Sequence, residues 1–192
     1  MLPLDYISIL QDMPKNYGLL NAGRVMRPEL AGEDFSYPNP SRLVEPRELR
    51  TTIGNMDPWE WAALEYCENT DHLEHKIHQT RDGLMCRSKS EAIIYDIYKS
   101  LGLPFHYDEV LRSGSSLISP DFYGVRRDGI FIAHEHKGMH TQEYYERNDW
   151  KDGLYAVSGF RQGNNLLQTF DSPGGRLNVK LIEDLIRDIY QL

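Results

Sequence analysis

Two acids and a lysine in the second half of the chain have types and spacing that could do chemistry. Asp121 follows Pro120, and Lys137 stands two positions after Glu135. On an extended strand, side chains two apart share a face, so Glu135 and Lys137 point the same way. Asp121 lies across the turn Arg127-Asp128-Gly129. If that turn is a three-residue loop with Gly129 in the left-handed position, Asp121 falls opposite Glu135. A loop of two or four residues would shift the pairing by one. In the aligned register two carboxylates and an ammonium converge. Like charges that close repel and raise a pKa unless a cation intervenes. Mg²⁺ or Mn²⁺, bound by one or two carboxylates, waters and a substrate phosphate, resolves the conflict. Such a metal polarises a phosphoryl oxygen and lowers the pKa of a bound water. The lysine then orients or deprotonates that water, or stabilises the charge of the transition state. The chemistry expected is phosphodiester hydrolysis. Strand charges can equally face solvent or pair across a ladder. Here they sit in otherwise apolar strands, beside Ile118, Phe122 and Val125 on one and Ile130 to Ala133 on the other.

The elements that must hold these residues are legible from Gly83 onward. Ser88-Lys89-Ser90-Glu91 opens a helix in which Ile93, Ile94, Ile97 and Leu101 recur at helical spacing, and Gly102 and Pro104 stop it. Strands are expected near Phe105–Leu111, Leu117–Val125 and Ile130–Lys137, with a turn at Ser113-Gly114-Ser115. Thr141 caps a helix running to about Val157. Leu166–Phe170 reads as a fourth strand, and Asn178 caps a last helix with Leu181, Leu185 and Ile189 in one stripe. This order, with helices on the faces of a mixed sheet, defines an α/β or α+β domain. Residues 1–78 read differently. Pro28, Pro38, Pro40 and Pro46 interrupt any long periodic run. The better helix there starts at Asp57-Pro58 and carries Trp59, Trp61, Ala62, Leu64 and Tyr66. The expected division is an irregular helical extension over 1–78 and a catalytic domain over 79–192.

Several neighbours carry two readings each. Glu91 is the last member of a capping box begun by Ser88, a role that needs no metal. It is also an acid poised at the start of the helix before the sheet. Asn148, Lys151 and Tyr155 follow Tyr144 on one helical face. Lys151 and Tyr155 are candidate substrate-binding groups or an ordinary surface lysine and a packing tyrosine. His72, His75 and His78 are spaced by three, and His134, His136 and His140 surround the E-x-K. Zinc is conceivable, but alternation turns His134 and His136 away from the Glu135 face, and no cysteine stands at finger spacing.

Together these motifs resemble the PD-(D/E)XK, or restriction-endonuclease-like, nuclease superfamily. Pro120-Asp121, then Glu135-His136-Lys137 after a hairpin, preceded by a helix carrying Glu91, matches its signature in order and spacing. Arg87-Ser88-Lys89-Ser90-Glu91, Pro120-Asp121-Phe122, Glu135-His136-Lys137-Gly138 and Leu166-Leu167-Gln168-Thr169-Phe170-Asp171 are similar to a group of small bacterial members. The resemblance covers about residues 76–192. It implies a central mixed sheet flanked by helices, Asp121 and Glu135 as metal ligands, Lys137 as the catalytic lysine and Glu91 as an auxiliary acid. His136 is a further candidate ligand. The expected cofactor is Mg²⁺ or Mn²⁺. Many members of the small group carry an apolar residue where Lys137 stands. The alternative is therefore a catalytically silent fold that binds nucleic acid or protein within a larger complex.

The bulk numbers set bounds. The 192-residue chain can bury a core without staples. A net charge of −8 argues against an indiscriminate polyanion binder but not against a local basic cleft. Candidate phosphate contacts are Arg87, Lys89, Arg112, Arg126, Arg127, Arg147, Lys151 and Arg161. The expected partner is nucleic acid, DNA first, with a homodimer or larger assembly left open. Residues Met1 to Tyr17 lack the basic-then-apolar order of a signal peptide, and no apolar run spans a bilayer. Cys67 and Cys86 form no disulfide framework, so a reducing, cytoplasmic setting is expected.

Overall fold

A computed structural model describes residues 44–138, 142–172 and 176–192. Its elements are β1 (Arg47–Glu48), α1 (Pro58–Ala62), β2 (His78–Gln79), β3 (Met85–Cys86), α2 (Lys89–Ser100), β4 (Phe105–Tyr107), β5 (Leu111–Ser113), β6 (Ser116–Ile118), β7 (Phe122–Val125), β8 (Phe131–Lys137), α3 (Gln142–Val157), β9 (Leu166–Phe170) and α4 (Val179–Tyr190). The expected Thr141 cap lies outside the described residues, as do Pro28, Pro38, Pro40, His140 and the side chains of Tyr144, Arg147 and Asn148.

The hairpin that positions the site closes as its turn chemistry requires. Gly129 takes a φ of 82°, donates to Arg126 O at 2.9 Å, and Arg126 N donates to Ile130 O at 2.8 Å. This is the three-residue loop in which only glycine sits without strain in the left-handed position. The β7–β8 ladder pairs Phe122 with His134 and Val125 with Phe131. One residue further, that register sets Asp121 across from Glu135.

The main sheet runs β4-β7-β8-β9. β7 runs antiparallel to both its neighbours, β4 and β8, and β9 lies parallel to β8. A parallel neighbour needs a crossover, and α3 supplies it. Alternation along β8 sends Ile132 to one core with Ile94, Tyr98, Ile186 and Tyr190 of α2 and α4. It sends Phe131 and Ala133 to the other, with Tyr123, Tyr155 and Phe160. The sheet is thus covered on both faces, and each fully buried aromatic contributes about 1.5–3 kcal/mol. The protein is a mixed α/β fold. Among the described residues no helix is long and apolar enough to cross a membrane.

Three features depart from the expected elements. The strand expected over Phe105–Leu111 breaks at Asp108, which takes a left-handed φ of 55°, so β4 and β5 enter different sheets. The strand expected over Leu117–Val125 is interrupted at Ser119-Pro120-Asp121, because Pro120 has no N–H to give a ladder. The helix at Asp57-Pro58 has the expected cap, with Asp57 accepting from Trp59 N and Glu60 N, but it ends at Ala62. The described part of the presumed extension also joins the body of the fold. β1 pairs in parallel with β5, Thr52 bridges to Ile130, and Leu49 and Trp61 are core residues.

Candidate functional site

Asp121, Glu135, Lys151 and Tyr155 meet at the end of the β7–β8 hairpin. Asp121 keeps partial exposure there, and its Oδ2 accepts from the His136 amide at 2.7 Å. Glu135 is 5% exposed. The Lys151 ammonium donates to both of its carboxylate oxygens at 2.9 Å, and the buried Tyr155 hydroxyl donates to Oε1 at 2.6 Å. Lys151 also donates to Ser119 O at 2.9 Å, tying α3 to the loop that carries Asp121. Lys151 and Tyr155 stand four apart on α3, so one helical face delivers both.

Burial, then the neighbouring charges of Glu135 and Glu91, push the Asp121 carboxyl well above the usual range. The Lys151 pKa is raised too: burial alone would lower it, but the Glu135 and Asp121 carboxylates hold it up and charged. This is a cluster with more negative charge than its one ammonium balances. Its donors are all carboxylate oxygens, the set that hard divalent cations take. On that ground Asp121 and Glu135 fit Mg²⁺ or Mn²⁺, with Glu91 near enough to act on Asp121 electrostatically. Among the described residues, no three His, Cys, Asp or Glu side chains gather closely enough to hold a metal unaided. Waters or a substrate phosphate would have to complete the shell.

Glu91 is half a capping box. Its amide donates to Ser88 Oγ at 3.0 Å, but its carboxylate accepts from the Tyr107 hydroxyl at 2.6 Å. Burial and the Glu91 charge raise the Tyr107 phenol far above its usual value, so it stays a donor.

Lys137 shares the Glu135 face but is turned elsewhere. Its ammonium lies 3.3 Å from Asp152 Oδ2, and Gln168 Nε2 donates to the other oxygen of that carboxylate at 2.5 Å. The lysine in contact with Glu135 is Lys151.

His136 is on the opposite face and does not reach the acids with its ring. Its Nδ1 contacts Thr169 Oγ1 at 2.9 Å and its Nε2 contacts Asp171 Oδ1 at 3.2 Å. His134 Nε2 contacts the same Thr169 hydroxyl at 2.8 Å, and its Nδ1 meets Tyr98 OH at 3.1 Å. One donor direction satisfies every member: Tyr98 to His134, His134 to Thr169, Thr169 to His136, His136 to Asp171. It requires both rings neutral, and burial lowers the His134 pKa to about 3 and also lowers that of His136. Both ring nitrogens of His136 are therefore committed, which removes it from the ligand set expected from sequence.

The basic residues divide. Arg87 lies 2.7 Å from Asp108 Oδ2, a contact shared with Lys76 at 3.2 Å, so its charge is spent inside the fold. Arg126 is locked to Asp128 and Ile189 O. Arg161 donates to Ala156 O and Phe160 O. Arg112 lies 3.9 Å from Glu48. Lys89 and Arg127 are exposed. Sequence reasoning missed the supports Tyr107 and Asp108, because each acts through a contact between residues distant in the chain.

In comparisons with known proteins, no family model, curated protein or solved structure matches the chain.

Proposed function

We propose that the protein is a metal-dependent nuclease of the restriction-endonuclease-like class, hydrolysing phosphodiester bonds, with DNA as the first candidate substrate. The observation that carries this reading is the pairing of Asp121 with the buried Glu135 across the hairpin, with one ammonium bonded to Glu135. Asp121 and Glu135 would hold Mg²⁺ or Mn²⁺, and Glu91 would act through water. When bound, the cation polarises the phosphoryl group and activates a water. The chain's own groups do the rest. Tyr155 and Lys151 fix the Glu135 carboxylate, so its free lone pairs keep one orientation. Lys151 stays protonated and serves as a fixed positive charge beside the phosphate, a stabiliser of the transition state and not a base. Lys137, at the strand end, is available to a phosphate once it leaves Asp152. The test is incubation of plasmid and single-stranded DNA with the full chain in Mn²⁺, Mg²⁺ or EDTA. Divalent-dependent cleavage lost in Glu135→Gln supports the reading; no cleavage under any condition sinks it.

One observation favours a second reading, a catalytically silent module binding nucleic acid or protein. Lys151 already neutralises Glu135 through both oxygens, and such a pair persists without a metal. Nucleic-acid binding with no cleavage would select it.

A further inference from the structure

Away from the acids, a half-open cleft of about 170 Å³ is walled by aromatic side chains. Trp59 comes from α1, Tyr66 from the loop after it, Tyr95 and Lys99 from α2, and Phe105 and Tyr107 from β4. From this cleft we propose that the protein takes a single unstacked nucleobase there, and so that its nucleic-acid ligand is single-stranded or locally splayed. The proposal rests on the nucleic-acid reading above and adds a substrate class to it.

Size is the first argument. A cavity of roughly 150 Å³ accepts one benzene-sized ring, whereas pockets for larger organic ligands run from about 300 Å³. The cleft fits one planar ring and little more. The second argument is what the walls offer. Trp59 Nε1 is spent on Gly102 O at 3.3 Å, the Tyr66 hydroxyl on Tyr107 O at 3.2 Å and the Tyr95 hydroxyl on Asp82 at 3.1 Å. The polar handles are used within the fold, which leaves the apolar surface of the rings, Trp59 the most exposed of them, and of Leu84, Leu103 and Pro104 to meet a guest. Such a surface stacks any base and reads none, the mode of sequence-tolerant single-strand binding. In a duplex the faces of a base are covered by its neighbours, so an intact helix has no ring to give.

Charge separates a nucleotide from other guests of aromatic clefts. Lys99 Nζ lies 6.0 Å from the Tyr95 ring centre. That is the place a guest cation would take, so a quaternary ammonium is repelled. The Lys99 side chain is 54% exposed, and its ammonium lies 3.6 Å from a carboxylate oxygen of Asp82 at the surface. A backbone phosphate can share it. Location is the last argument. Tyr107 is a wall of the cleft, and its hydroxyl is the donor that holds Glu91 at 2.6 Å. A base in the cleft is therefore one phenol ring from the acid cluster.

The experiment is calorimetric titration of the full chain with decathymidylate in EDTA, where no cleavage can occur, beside a duplex of equal length, tetramethylammonium and a proline decapeptide. Lys99→Glu and Trp59→Ala are the variants, both changed at exposed side chains, with thermal melts to show that they fold. Decathymidylate should bind more tightly than duplex, and each variant should weaken it about fivefold or more, the loss expected for one stacked base. Single-strand binding unchanged in both folded variants overturns the proposal. So does a preference for duplex, or binding of the ammonium or the proline peptide without decathymidylate. Variant-sensitive binding with no cleavage in Mn²⁺ keeps the cleft and removes the nuclease; cleavage with variant-insensitive binding does the reverse.

Discussion

Lys151 Nζ stands 2.9 Å from both carboxylate oxygens of Glu135, while Lys137, on the same strand as that acid, is held by Asp152 at 3.3 Å. The ammonium beside the acids comes from a helix and not from the E-x-K strand. If Lys151 supplies the fixed charge, Lys151→Met should lower cleavage by about a hundredfold or more, the scale of a lost transition-state charge contact. Lys137→Met should cost less. Single-turnover rates in Mn²⁺ compare them, and circular-dichroism melts show whether Lys151→Met still folds. A larger loss in Lys137→Met would return the role to the strand lysine.

Asp121 carries a conflict between stability and binding. Its folded carboxyl pKa is raised by burial and by Glu135 and Glu91, so ionising it in the fold costs more than in the unfolded chain. A group raised in the fold gives stability at low pH that is lost as pH rises through the folded value. In EDTA, Asp121→Asn should therefore match wild type in acid and melt higher near neutrality. A gain on the order of 1 kcal/mol corresponds to about 2–4 °C at this size. The same change should strongly weaken Mn²⁺ binding in calorimetry. A variant that melts lower across the pH range and binds Mn²⁺ normally would show that Asp121 is a structural hydrogen-bond acceptor for His136.

The packing of residues 44–78 gives a stability prediction. Trp61 is 5% exposed and sits 4.1 Å from His106 and 5.1 Å from Phe131, centre to centre. Trp61→Ala should cost about 3–5 kcal/mol in urea unfolding and should unfold the protein in one transition. A mild loss, or a separate early transition, would make this stretch the appendage its sequence resembles.

The contrast shows where sequence was legible. The hairpin register rested on local rules: Gly129 at a left-handed position, and alternation putting Glu135 and Lys137 on one face with His134 and His136 on the other. The caps Ser88, Asp57 and Asn178 and the strand Leu166–Phe170 also follow from short-range patterns, and all are present. What stayed hidden depends on long-range partners. Nothing near Arg87 announces that Asp108 takes its charge. Nothing near Trp61 announces His106, and nothing near Lys137 shows that Asp152 will compete for it. The His136 ring looked available because Thr169 and Asp171, its partners, lie on another strand and the loop beyond it.

Glu91 joins a local and a long-range role, and the two can be separated. Its amide, not its carboxylate, serves the cap, since Ser88 Oγ accepts from it at 3.0 Å. Ser88→Ala should thus cost about 1 kcal/mol of stability with cleavage unchanged. Glu91→Gln keeps the amide and an oxygen for the Tyr107 hydroxyl, so melting should stay within about 0.5 kcal/mol. It removes the negative charge that acts on Asp121, so Mn²⁺ affinity and cleavage should both fall. Tyr107→Phe gives the intermediate case: the carboxylate keeps its charge but loses the donor that orients it at 2.6 Å. If that orientation matters, Mn²⁺ affinity falls less than in Glu91→Gln, and raising Mn²⁺ restores the rate. Full activity and normal Mn²⁺ affinity in Glu91→Gln would leave Glu91 as a partner for Tyr107 alone.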